Sequence, residues 1–147
     1  MSFSDKDLDK AVKLFESGEY TCVLCRGDSV IKSCERGIKP LMKLLNDKTD
    51  VQGYSAADRI VGRAAAFLYI LLKVTAVHAS VMSKGAVRLL EENGIIVESD
   101  TVTDAIINRN GDDICPMEKA VENVYMPDEA FLKLGEAVSK MMKSKGE

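Results

Sequence analysis

The stretch Cys115-Pro-Met-Glu118 carries the most reactive combination of residue types in the chain. Proline suits the first position of a helix, so Cys115 falls at the cap, where free N–H groups and the positive dipole end favour a thiolate. Glu118, three residues on, is placed to take a proton or to fold back on the first turn as in a capping box. The chemical expectation is a thiol nucleophile, Cys115, assisted by Glu118. The plain alternative is a capped helix whose thiol is inert, and no second base is evident. His78 is the only histidine and lies in an apolar run. Alone there, it suits a satisfied core residue better than a ligand. Just after it, Ser80-Val-Met-Ser-Lys-Gly85 offers the hydroxyls of Ser80 and Ser83 and the N–H groups of a helix start, a combination that holds anions. Arg63, Lys84 and Arg109 add positive charge if they converge, and Asn108 with Arg109 supplies donors suited to a base edge or a carboxylate. Asp58, at the front of a long apolar stretch, reads as a helix cap or as a partner of Arg59 or Arg63.

The cysteines are Cys22, Cys25, Cys34 and Cys115. Cys22-Val-Leu-Cys25 has the C-x-x-C spacing of metal knuckles and thioredoxin-like pairs. Zinc needs a second ligand pair, however, and neither Cys34 nor Cys115 has a companion or a neighbouring histidine. The redox version needs a helix start, whereas Tyr20 to Arg26 reads as a strand, on which residues three apart face opposite ways. Buried, unpaired thiols are the expectation.

These residues need elements to hold them. Ser4 to Ser17 has a capping serine, acidic residues in its first turn and a stripe of Leu8, Ala11, Val12, Leu14 and Phe15, which predicts a helix. Thr21 to Leu24 and Ser29 to Ser33 flank the turn signal Arg26-Gly27-Asp28 and predict a β-hairpin. Gly37 to Leu45 is a short amphipathic helix, and Asn46 to Tyr54 is rich in turn residues. The pattern then predicts a mostly buried helix from Ala56 to Lys73 and a buried strand from Val74 to Ala79. Lys84 to Glu92 follows as a helix stopped by Asn93-Gly94, then Ile95 to Val97 as a short strand. Thr101 to Asn108 is ambiguous, its β-branched residues favouring a strand. Pro116 to Val124 and Pro127 to Met142 are predicted helices. This order predicts one α/β domain over 1–147, a three-layer α/β/α sandwich around a mixed sheet.

Composition narrows the function classes. The 147 residues are 46% hydrophobic and 29% charged, as in an ordinary globular chain. The charge-free run Ala64 to Leu72 is half the length of a membrane helix, and the polar N-terminus has no secretory core, so a cytoplasmic protein without a membrane partner is expected. Twenty basic against 23 acidic residues give a net charge of −3, which argues against long nucleic acid as a partner. The lysines Lys140, Lys143 and Lys145 suit a solvated helix end.

The segments Val61-Gly-Arg-Ala-Ala-Ala66, Ile107-Asn-Arg-Asn-Gly111 and Ile114-Cys-Pro-Met-Glu118 resemble a group of uncharacterised prokaryotic single-domain proteins of the cytidine-deaminase-like superfamily that lack its zinc site. The order of hairpin, buried helix, strand and helix is similar to that fold. The superfamily carries His-Ala-Glu or Cys-Ala-Glu at one helix start and Pro-Cys-x-x-Cys at the next, to hold zinc and shuttle a proton. The resemblance implies that Gly62, Arg63 and Ala64 stand in the first motif and Ser80 and Ser83 in the thiolate positions of the second. Neutral hydroxyls are poor zinc ligands, so no metal, no cofactor and no zinc-dependent deamination are expected. The implied site is the former pocket between the two helix starts, lined by Asp58, Gly62, Arg63, Ser80, Ser83, Asn108 and Arg109 and holding a nucleotide- or nucleobase-like ligand. The alternatives are a thiol enzyme using Cys115 and a non-catalytic oligomeric scaffold, the latter favoured by a filled pocket and exposed apolar patches.

Overall fold

Cys22–Arg26 (β1) sends Val23 and Cys25 to one face of a sheet and Cys22 and Leu24 to the other, the alternation a strand imposes. Each set meets a different layer of helices. The first helix, Phe3–Glu16 (α1), sets Ala11 on Val23, Cys25 and Ala57, with Val12, Leu14 and Phe15 around them. The larger cluster joins Leu24, Ala56 and Val77 of the sheet to Leu41, Phe67, Leu68, Leu90 and Leu134 of the helices opposite. The computed structural model describes residues 3–107, 111 and 113–146.

β1 pairs with Ser29–Ser33 (β2) across a turn at Gly27, whose φ of +58° is a conformation that glycine adopts without strain. After Lys39–Asn46 (α2) come Ser55–Val61 (β3), Arg63–Leu72 (α3), Ala76–Ser83 (β4), Lys84–Glu92 (α4) and Ile96–Thr103 (β5), then Pro116–Ala120 (α5) and Pro127–Gly146 (α6). The sheet order is β2-β1-β3-β4-β5. β1 is antiparallel to β2 and β3, while β3, β4 and β5 run parallel and are linked by α3 and α4. This is a mixed five-stranded sheet with helices on both faces, as expected. No helix among the described residues is long and apolar enough to cross a membrane.

The structure corrects the reading of 56–73 as one helix. Ser55 to Asp58 lie between β1 and β4 and are buried, and Gly62 is extended (φ −103°, ψ −169°), so the helix begins only at Arg63. Ala56 and Ala57 belong to β3, and only Ala64, Ala65 and Ala66 to α3. Asp58 is therefore a strand residue, not a helix cap. β4 runs on to Ser83, so Ser80 sits within the strand and only Ser83 caps α4. β5 is continuous to Thr103, and α5 ends at Ala120 rather than Val124.

Candidate functional site

The C-terminal ends of parallel strands are where open α/β sheets bind ligands, and here two helix starts meet at those ends. α3 begins directly after β3, and α4 directly after β4. They lie so close that a Cβ on Gly85 would stand 3.0 Å from Cδ of Arg63. Gly62, Arg63 and Ser83 thus lie at the same end of the sheet. The Glu118 carboxylate lies against Gly62 and the Arg63 side chain against Gly85.

Glu118 reaches this point from α5. Its Oε1 accepts the Arg63 N–H at 2.9 Å and its Oε2 the Ala64 N–H at 2.8 Å. A carboxylate here meets two unpaired amides and the positive end of the helix dipole, the arrangement that holds phosphate elsewhere. The contact explains Gly62: a Cβ there would lie 2.5 Å from the carboxylate. The Arg63 guanidinium turns the other way. Nη1 donates to Val121 O at 2.8 Å and Nη2 to Val124 O at 2.5 Å, and the plane lies 5.3 Å from the Phe67 ring and 5.8 Å from that of Tyr125. One residue of α5 therefore caps α3, and one residue of α3 holds the chain that leaves α5. Ser83 Oγ accepts the Ala86 N–H at 3.1 Å and so caps α4.

These bonds decide what the constellation does. The amides, the guanidinium and the Ser83 hydroxyl all have internal partners, and the shallow depressions along Lys6–Lys13 and beside Thr49–Gln52 lie elsewhere. Glu118 is engaged with α3, so it does not assist Cys115, which is half-buried at the start of α5 with no hydrogen bond from its thiol to the helix. The residues at the starts of α3 and α4 do not suit a divalent cation: they offer a guanidinium and two groups already engaged in capping, and neither thiolate nor imidazole. Among the described residues no three acidic, cysteine or histidine side chains converge as metal ligands. Asn108 and Arg109 lie outside the described residues.

Asp58 belongs to another network. Its Oδ2 accepts the Tyr69 hydroxyl at 2.7 Å, its Oδ1 accepts the Arg59 N–H at 2.7 Å, and Cys22 Sγ lies 3.4 Å from the Tyr69 oxygen. Burial raises the Asp58 carboxyl to about 6 against the opposing hydrogen bonds, and it raises the Cys22 thiol and Tyr69 hydroxyl further still. Ser80 is half-buried in mid-strand. His78, 4% exposed, sets Nδ1 2.7 Å from Glu98 Oε1, with Nε2 3.9 Å from Asp100.

Tyr69, Glu98, Asp100 and the Val121 and Val124 carbonyls were missed from the sequence. The two-residue spacing of Glu98 and Asp100 was a visible signal; the Asp58–Tyr69 contact crosses from strand to helix and left none.

Residues 10–138 match the family TM1506, domain of unknown function (DUF1893). The chain is similar to the crystal structure, at 2.70 Å, of a DUF1893 family protein (TM1506) from Thermotoga maritima. The two share 30% identity over 92% of this chain and 90% of that one, with a TM-score of 0.80. No curated protein matches significantly. This chain belongs to the DUF1893 family.

Proposed function

We propose that the chain is a non-catalytic interaction protein on a deaminase-like fold whose zinc site has been replaced by an internal ion-dipole clasp. The observation that carries this reading is the Glu118 carboxylate on the first amides of α3, with Arg63 beside it. A nucleotide-like ligand between the helix starts has to displace both, giving up charge-assisted hydrogen bonds in a partly buried place. Apolar side chains left in solvent support a role in contacts: Ile60, Val102, Ile107, Tyr125, Met126 and Leu132 are each about half exposed or more. The side-by-side starts of α3 and α4 after parallel strands support the deaminase-like kinship.

The test is a screen of nucleosides, nucleotides and Zn²⁺ by thermal shift and calorimetry. The expected result is no saturable binding. Stoichiometric binding of a nucleotide that weakens in Arg63→Lys, or one zinc ion per chain in purified protein, refutes the reading.

A further inference from the structure

β5 ends the sheet. Its Ile96 N–H donates to Thr75 O at 3.0 Å, so Ile96 and the residues at two-residue spacing from it bond toward β4. The main-chain groups of Val97, Ser99 and Thr101 then point away from the sheet. Ser99 Oγ donates to Thr101 O at 2.7 Å, a side chain partly satisfying an edge carbonyl that has no strand beside it. Ile96, Glu98, Asp100 and Val102 share one face of this edge. Their exposure is high: 44% for Ile96 and 50% for Val102, with 57% and 66% for the side chains of Glu98 and Asp100. α1 lies over β1, β3 and β4, and this row stands beyond it.

Resting on the reading above, we propose that the β5 edge takes up an extended segment of a different protein, one in which apolar and basic residues alternate. Main-chain bonds to Val97, Ser99 and Thr101 give the pairing, and side chains opposite Ile96, Glu98, Asp100 and Val102 give the selectivity. An added strand that matches this row is apolar, basic, basic, apolar at every second residue. A second copy of β5 does not match. A two-fold axis normal to the sheet pairs only residues of the same face, and the two longest such registers set Glu98 against Asp100, or Asp100 against itself. Like charges directly opposite are destabilising. The acidic pair therefore refuses self-pairing while it attracts lysine or arginine.

The experiment follows the backbone amides of the whole protein by NMR during titration with acetyl-Val-Thr-Lys-Thr-Lys-Thr-Val-amide. The expected result is shift changes and slowed exchange centred on Val97, Ser99 and Thr101. Binding is expected to weaken about tenfold or more when the lysines become glutamates or when alternate peptide nitrogens are methylated. Ser99→Pro, which removes an outward N–H together with the hydroxyl, is expected to abolish the effect while Ser99→Ala keeps it, and Asp100→Lys, which leaves Glu98 in place, is expected to cancel the preference between the lysine and glutamate peptides. No change at β5 with millimolar peptide, or equal binding of both peptides, overturns the proposal. So do edge amides already protected in the free protein, whether or not dilution releases them. A nucleoside arm that perturbs Arg63 and Ala64 refutes the interaction-protein reading itself, whereas a blank peptide arm beside a blank nucleoside arm removes only the β5 proposal.

Discussion

Replacing Asp58 by asparagine is expected to remove most of one pH-dependent contribution to stability. Asp58 is 7% exposed, and burial raises its carboxyl from 3.8 to about 6 in the folded protein. A folded-state value above the unfolded one means the neutral acid is favoured by folding. That stabilisation is complete below pH 3.8 and is lost as the pH rises through about 6. A shift of about two units corresponds to about 3 kcal/mol by pH 7. Asparagine keeps the shape and an acceptor but cannot ionise, and its amide group can donate to the Tyr69 oxygen while that hydroxyl turns to Cys22 Sγ. The assay is denaturant unfolding of both proteins from pH 4 to pH 8. The quantity of interest is the variant's stability minus that of the natural sequence. It is expected to climb by about 2.5 kcal/mol across that range. Exposed pairs such as Lys84–Asp104 and Lys119–Asp113 titrate alike in both proteins and cancel. A difference flat with pH refutes the claim that burial governs Asp58.

Four further outcomes follow from the clasp and the thiols. Glu118→Ala strips two amides of α3 of their acceptor and is expected to lower stability by about 1–2 kcal/mol in denaturant melts. Gly62→Ala is expected to cost a similar amount, because its Cβ meets the carboxylate at 2.5 Å, yet to cost little in the Glu118→Ala background; additive losses in the double-mutant cycle contradict the contact. Arg63→Lys loses the forked donation to Val121 O and Val124 O, and is expected to speed hydrogen exchange in 121–126 more than in α4; unchanged exchange there argues against the clasp. With iodoacetamide, exposed Cys34 is expected to react ahead of half-buried Cys115; a Cys115 that reacts first revives the nucleophile and weakens the non-catalytic reading.

The sequence made some of this visible and hid the rest for physical reasons. The hairpin was legible because Gly27 sits between two β-branched runs, and α4 because Ser83 caps it and Asn93-Gly94 stops it. β3 was hidden: Ser55 to Asp58 lack β-branched residues, and only pairing to β1 and β4 makes them a strand. That Gly62, Arg63 and Ser83 lie at one end of the sheet follows from the parallel strands they end, whereas Glu118 beside them was not legible. Local pattern assigned Glu118 to its own helix, and a contact across 54 positions to Ala64 leaves no periodic trace. Asp58 was named as a site residue and is a perturbed group, but one whose partner, Tyr69, lies in another element.

Because Cys22 and Cys25 face opposite layers of the fold, the sheet keeps the two sulfurs apart and makes them separate clocks. Cys25 is sealed by a single helix resting on a small apolar patch, so its labelling rate measures how often α1 lifts away. Cys22, sealed within the larger cluster, becomes labelled only when the whole chain opens. Three residues of one strand thus separate a reporter of partial unfolding from a reporter of complete unfolding, with no engineered probe.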